Sequence, residues 1–266
     1  TLLKIVKKDK NIKIILLTAN KNYKELLKQA KFFNVKNIII TDLISFNKAL
    51  KINKNKNLNI YNNFEIFKKI FKNKLDYIMS SIVGLEGLYP TLEAIKHTNK
   101  IAIANKESLV CGWNLIEDKS KKHKTEFIPI DSEHFSIFEL IKNEKPENIK
   151  KIYITASGGP FLNIDKSKLS KFVPKNAIKH PTWKMGKKIS IDSATMMNKI
   201  FEVIEAIKIF NLKQEQVKIL IHPKSYIHAI VNYKNGLIKL LAHDTSMEVP
   251  IANVIYADFK IYNYNK

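Results

Sequence analysis

The 266-residue chain has no arginine, one cysteine (Cys111) and no apolar run near the ~18 residues that span a bilayer. The single cysteine excludes an intramolecular disulfide framework and any multi-cysteine metal cluster. Left unpaired, it fits a reducing compartment. No membrane partner is expected. The opening Thr1-Leu2-Leu3-Lys4 is neither an initiator methionine nor a secretory signal. The missing arginine bears on the charge. All 46 basic residues are lysine, against 24 acids, for a net +22. Such a balance suggests nucleic acid. Arginine, however, supplies the planar fork preferred for phosphate backbones and guanine edges, and it is wholly absent. The lysines are spread among abundant Asn and Ile, as a compositional bias such as that of an AT-rich genome would produce, so no nucleic-acid partner is expected.

What is present suits one or two ordinary domains. Hydrophobic residues make up 45% and charged residues 26%, enough for a core without disulfides or a structural metal. Residues 1–110 alternate strands and helices. Ile12–Leu17, Asn37–Ile40, Tyr77–Ser80 and Ile101–Ala104 read as buried strands. Lys21–Phe33, Asn63–Phe71 and Gly87–Thr98 read as helices. This predicts an α/β, doubly wound, Rossmann-like domain with parallel strands. Thr1–Lys8 reads as a first helix already under way, Lys51–Asn59 as a low-complexity loop, and the polar stretch 116–126 as a surface linker. An α+β region follows: strands Phe127–Ile130, Ile152–Thr155, Val217–Ile221, Ala229–Tyr233 and Leu237–Leu241, and a helix Ala194–Phe210. Lys234-Asn235-Gly236 reads as a hairpin turn. The expected division is 1–122 for cofactor binding and 123–258 for catalysis, with 259–266 opening a linker to a further helical domain.

Four groups of residues suggest chemistry. Asp131-Ser132-Glu133-His134 follows a strand. Were Asp131 and Glu133 to extend it, their carboxylates would share a side and call for a hard divalent cation; alternatively they are two solvated loop acids. Glu202 and Glu205 share one face of the 194–210 helix, either inward beside a cation or as an exposed stripe pairing with Lys199 or Lys208. Ser157-Gly158-Gly159 after a strand and Ser190-Ile191-Asp192-Ser193 before that helix offer backbone N–H groups to an anion, with Asn198 and Lys199 a turn further on. In this reading Ser193 also caps the helix, and capping alone is the plainer alternative. Finally, Thr18-Ala19-Asn20-Lys21-Asn22 ends a strand without the acid that holds the ribose of NAD, and Lys21 is placed for a 2′-phosphate, so NADP is expected. Asn105-Lys106-Glu107-Ser108 ends another strand, where ligands bind in such sheets.

Taken in order, the segments resemble the 1-deoxy-D-xylulose 5-phosphate reductoisomerase family. The stretches that carry the likeness are Ile82-Val83-Gly84, Gly87-Leu88-Tyr89-Pro90-Thr91-Leu92, Ala104-Asn105-Lys106-Glu107-Ser108-Leu109-Val110, Pro129-Ile130-Asp131-Ser132-Glu133-His134, Ser157-Gly158-Gly159-Pro160-Phe161, His180-Pro181-Thr182-Trp183-Lys184-Met185-Gly186, Lys188-Ile189-Ser190-Ile191-Asp192-Ser193-Ala194-Thr195-Met196-Met197-Asn198-Lys199 and His222-Pro223-Lys224-Ser225. The likeness runs from Thr1 to about Asp258.

The resemblance implies an NADPH-dependent, divalent-metal-dependent rearrangement and reduction of 1-deoxy-D-xylulose 5-phosphate to 2-C-methyl-D-erythritol 4-phosphate, in the non-mevalonate isoprenoid pathway. It implies a metal, Mg²⁺ or Mn²⁺ or else Co²⁺, on Asp131, Glu133 and Glu202, with Glu205 close by. Phosphate would be held by Ser157, Ser193, Asn198 and Lys199, and substrate hydroxyls by Lys106 and Ser132. Trp183 would close over substrate with His180 nearby. Cofactor contacts are implied for Ala19, Asn20, Lys21, Asn22, Asn105, Lys106, Glu107, Met185, Gly186 and Met247. Lys106, His180 and the three metal acids are the implied catalytic set, Glu202 also touching substrate. A homodimer is implied, working in a plastid-type organelle (an apicoplast, on the Lys/Asn/Ile bias) or in a bacterial cytoplasm.

The family's glycine-rich pyrophosphate turn and its C-terminal helical domain have no counterpart here, so an internal fragment that binds NADPH poorly is expected. The stretch between Glu133 and Ser157 is also shorter than the family leads one to expect. Two alternatives remain: another NADP-dependent phosphosugar oxidoreductase, separable by metal dependence and skeletal rearrangement, or a non-enzymatic basic binding module, separable by salt-sensitive affinity for DNA.

Overall fold

The structure, a computed structural model, describes residues 1–178, 183 and 186–257. The chain opens with a short helix, α1 (Leu2–Val6), then β1 (Leu16–Ala19), α2 (Tyr23–Phe32), β2 (Asn37–Ile40), α3 (Leu43–Ile52) and β3 (Asn59–Tyr61). The three strands pair in parallel in the order β1-β2-β3. Ile38, Ile39 and Ile40 are all fully buried, because helices cover both faces of the sheet and the strand has no solvent side. Asn22 and Asp42 start α2 and α3 by accepting the backbone N–H of Glu25 and Ser45.

A second parallel sheet, β4-β5-β6, follows. It is made from β4 (Leu75–Ser80), β5 (Thr98–Ile103) and β6 (Glu126–Pro129), with α4 (Phe67–Ile70), α5 (Leu88–Ile95) and α6 (Lys106–His123) between and before them. β6, although it lies beyond residue 122, hydrogen-bonds to β5 and belongs to this sheet. Between the two parallel sheets runs an apolar groove of about 1810 Å³, lined by Leu16 of β1, Tyr77 and Met79 of β4, and Leu2 of α1.

The remainder is an α+β layer. It contains α7 (Ser132–Ile141), β7 (Ile149–Ala156), α8 (Pro174–Ala177), α9 (Lys187–Ala194), α10 (Met197–Ile209), β8 (Val217–Ile221), β9 (Ile227–Tyr233), β10 (Ile238–Ala242) and α11 (Glu248–Tyr256). Its sheet has the order β10-β9-β7-β8, with β7 and β8 parallel and β9 antiparallel to both its neighbours. One core, of Ile137, Ile152, Ile154, Ala206 and Val231, joins α7 and α10 to this sheet. Another, of Val6, Ile128, Phe135, Ile251 and Tyr256, ties α11 back to α1 and β6. Among the described residues no helix is long and apolar enough to cross a membrane.

The α/β-then-α+β class stands, with four local corrections. The first strand lies at Leu16–Ala19 rather than Ile12–Leu17. The expected linker 116–126 is mostly helix: Leu109, Trp113, Ile116 and Ser120 of α6 are buried at helical spacing, and the charged run is its solvent face. α3, β3 and α11 were not anticipated, and the 51–59 loop shrinks to the link between Ile52 and Asn59. The expected helix 194–210 is α10, starting only at Met197; a separate, unexpected helix, α9, precedes it, and Met196 between them takes the left-handed conformation (φ 61°). Ser193 is therefore not an N-cap; it lies in the last turn of α9.

Candidate active site

Three elements meet where β6 ends. Asp131 is the N-cap residue of α7 and Glu133 lies in its first turn. Their convergence comes from the chain turning into a helix, and not from strand alternation as expected from the sequence. Glu202 enters from α10. Asp131, Glu133 and Glu202 can each offer a carboxylate oxygen within 4.8 Å of the others. Glu202 and Glu205 are each only 1% exposed, which excludes the solvated acidic stripe.

Burying this many carboxylates requires positive charge. Two lysines supply it. Lys106, from the start of α6, places its Nζ 2.7 Å from Asp131 Oδ2 and 2.7 Å from Glu202 Oε1. Lys199, on α10 and 5% exposed, donates to Glu133 Oε1 at 2.8 Å, to the Thr155 carbonyl at 2.6 Å and to Glu202 Oε2. Burial alone would lower both ammonium pKa values. The facing carboxylates, Asp131 and Glu202 for Lys106, Glu133 and Glu202 for Lys199, outweigh it and raise both. Burial and Glu202 push Glu133 upward, but Lys199, a hydrogen bond with Asp131 and Lys106 together outweigh them and hold it at about 2. Ser132 donates to Glu133 Oε2 at 2.6 Å and Asn198 to Glu202 Oε1 at 2.5 Å.

Behind these groups lies a buried pair: Glu205, expected close by, and His134, to which the sequence assigned no role. His134 Nδ1 stands 3.4 Å from Glu205 Oε2, and its Nε2 lies 2.9 Å from the Glu202 carbonyl. Burial raises the Glu205 carboxyl to about 7. His134 follows the two acids directly in Asp131-Ser132-Glu133-His134, and that adjacency was the available signal.

The loop after β7 backs onto α9. Gly158 and Gly159 have positive φ (87° and 71°), and a Cβ on Gly159 would stand 2.8 Å from the Ser193 carbonyl oxygen. Only glycine permits this approach, which brings Ser157 and Ser193 to neighbouring strands of chain. Asn198 Oδ1 is buried nearby without a hydrogen-bond partner. Trp183 sits edge-on to His228 at 5.9 Å, and His228 stacks on His243 at 3.7 Å. Burial lowers both histidines, His243 to about 4 with help from His228, so this column is neutral.

A family model described as the 1-deoxy-D-xylulose 5-phosphate reductoisomerase matches residues 1–112, and one for the C-terminal domain of the same enzyme matches residues 127–210. The 1-deoxy-D-xylulose 5-phosphate reductoisomerase of Pelagibacter ubique is 61% identical over 259 residues, which is 96% of this chain and 67% of that protein. The chain belongs to the 1-deoxy-D-xylulose 5-phosphate reductoisomerase family. The reductoisomerase of Clostridium kluyveri is 39% identical over 94% of this chain and 66% of its own length. The chain thus spans about two thirds of these curated reductoisomerases. The Zymomonas mobilis reductoisomerase, solved with NADPH, superposes with a TM-score of 0.89 at 34% identity, covering 100% of this chain and 69% of that one. A reductoisomerase solved with NADPH, fosmidomycin and magnesium gives 0.89 at 33% identity, covering 99% and 68%.

Within this reductoisomerase fold the expected cofactor residues fall in two places. Ala19 and Asn20 end β1 and line the groove between the parallel sheets, as does Met247 at the start of α11. Lys21 is exposed beside them, whereas Asn22 is committed as the cap of α2. Asn105 caps α6, accepting from Ser108 N at 2.7 Å, and donates to the Gly84 carbonyl at 2.8 Å and to that of Ile82. It is 2% exposed, which makes it a brace of the turn before α5. Glu107 is paired with Lys188, and Gly186 is the N-cap of α9. His180 and Met185 lie outside the described residues.

Proposed function

We propose that this chain carries the metal-, substrate- and NADPH-binding parts of an enzyme that rearranges and reduces 1-deoxy-D-xylulose 5-phosphate to 2-C-methyl-D-erythritol 4-phosphate. The observation that carries the reading is the convergence of Asp131, Glu133 and Glu202 with Lys106 and Lys199. Three carboxylate oxygens are the donor set that a hard divalent ion prefers, and the two ammonium groups now neutralising them would give way to it. Magnesium or manganese on Asp131, Glu133 and Glu202 would supply Lewis acidity to the substrate ketone and its neighbouring hydroxyl.

The other residues bind and orient. Lys106 and Ser132 face the carboxylates from the cofactor side and would hold substrate hydroxyls in register with them. Lys199, once released from Glu133, would share the phosphate with Asn198, whose side-chain NH2, now on Glu202, would donate to it, and with Ser157 and Ser193 across the Gly159 contact. The neutral His243–His228 stack gives Trp183 a flat, uncharged wall to rest on. Such a lid would keep water from the reacting carbons. NADPH, which supplies the hydride, would lie in the groove between the sheets, at the C-terminal ends of β1, β4 and β5, with Lys21 toward the 2′-phosphate.

Of the two compartments expected, a bacterial cytoplasm is favoured by the bacterial relatives. A homodimer is in keeping with Ile219, Ile221, Ile238 and Leu240, which leave apolar surface exposed on the edge strands β8 and β10.

Product identification tests the function. Carbon NMR of the reaction with NADPH and Mg²⁺ should find a branched methyl-tetritol phosphate. An unrearranged reduced pentulose phosphate, or no turnover in folded protein that binds NADPH, would contradict it.

A further inference from the structure

Apart from Glu107, an expected cofactor contact, Lys188 touches none of the groups placed in the site, yet its ammonium joins three of the helices that build it. Its Nζ lies 2.6 Å from Glu107 Oε1 on α6 and 2.7 Å from Asp192 Oδ2 on its own helix, α9. It also lies 5.1 Å from the centroid of the Phe201 ring on α10. Each partner is the immediate neighbour of a site residue: Glu107 of Lys106, Asp192 of Ser193, Phe201 of Glu202. Consecutive helical residues point about 100° apart, so the contacts lie behind the site while fixing the same backbone. Lys188 is also two residues past Gly186, the N-cap of α9.

The bland alternative is a surface ion pair, since the Lys188 side chain is half exposed and such pairs contribute little. Two features argue for more. The Glu107 pair spans 81 residues and crosses from the parallel-sheet region to the α+β layer. The same ammonium is held at once by two carboxylates and an aromatic face, so its geometry is over-determined.

Resting on the function proposed above, we infer that Lys188 is a positioning residue that couples the cofactor side of the site, through Glu107, to the phosphate side, through Asp192 and Ser193. Occupation of the phosphate site orders α9, and Lys188 passes that order to the first turn of α6 beside the cofactor. Binding of phosphate and of NADPH is then cooperative, and by linkage each tightens the other equally.

The test uses the full chain, with NADPH affinity read from cofactor fluorescence with and without saturating inorganic phosphate. Wild type should bind NADPH more tightly with phosphate present. Lys188→Met should lose most of that enhancement, by about 5-fold or more, while its affinity without phosphate moves less than about 2-fold. Lys188→Arg, which can still reach both carboxylates, should restore it. A merely structural lysine would lower the melting temperature and leave the enhancement intact. That result, or a wild-type protein with no enhancement, would overturn the inference. A wild type that shows the enhancement but does not convert the phosphosugar would instead overturn the proposed function and leave the coupling standing.

Discussion

Lys106 Nζ stands 2.7 Å from Asp131 Oδ2, so a cation already sits against the carboxylate cluster. Lys199 does the same at Glu133, 2.8 Å away. The two ammonium groups act as internal counter-ions for acids whose ordinary partner, in this reading, is a divalent metal.

Removing one of them should therefore be costly without metal and cheaper with it. Lys199→Met leaves the buried Glu133 without its nearest cation and Glu202 with Lys106 alone, a loss of about 3 kcal/mol or more. The melting temperature of metal-free protein should fall by roughly 6–12 °C. Mg²⁺ should raise it further in the variant than in wild type, as differential scanning calorimetry would show. An equal metal response in both would contradict the counter-ion role.

Glu205 gives a pH signature. Its folded pKa, about 7, lies above the ordinary value of 4.5, because burial disfavours the charged form. For an acid raised in this way the stabilisation is complete below the unfolded pKa and is lost as pH rises through the folded one. Metal-free protein should lose up to about 3 kcal/mol between pH 4.5 and 7 from this group. Glu205→Gln should flatten that slope in urea unfolding at several pH values.

His243 acts at the other limit. Its folded pKa is depressed to about 4 from 6.5 by burial and by the stacked His228. Its contribution is present above pH 6.5 and erodes as pH falls towards 4. Partial exposure reduces it to roughly 1–2 kcal/mol. His243→Phe keeps the stack and cannot take a proton, so it should remove this acid-side loss.

Gly159→Ala tests the contact between the 157–160 loop and α9. The added Cβ would meet the Ser193 carbonyl at 2.8 Å with φ at 71°. Backbone on both sides must move, at about 1–3 kcal/mol. The KM for the phosphosugar should rise about tenfold while that for NADPH changes little. Equal changes in both would place the loop outside the phosphate site.

Parts of this structure are legible in the sequence for a physical reason. Asn37–Ile40 is found to the residue because its isoleucines are buried on both faces and nothing else competes. α6 is misread after residue 116 because only Ile116 and Ser120 face inward there, and the charged remainder looks like linker. The break at Met196 carries no local mark: neither glycine nor proline stands there, and tertiary packing imposes the positive φ. The acids of the site are legible as a set through the resemblance, since Glu202 comes from α10, which no spacing rule connects to Asp131 and Glu133 of α7. The pairings of Lys106 and Lys199 with them are not, because a lysine-rich sequence gives no sign of which two ammonium groups turn inward.

The measurement that bears most directly on the central claim is NADPH oxidation by 1-deoxy-D-xylulose 5-phosphate, with Mg²⁺ and with chelator, in the wild-type full chain and in Asp131→Asn. The account predicts turnover that needs the metal and falls by about 100-fold or more in the variant, with NADPH affinity kept. Metal-independent turnover, or an Asp131→Asn protein as active as wild type, would contradict it.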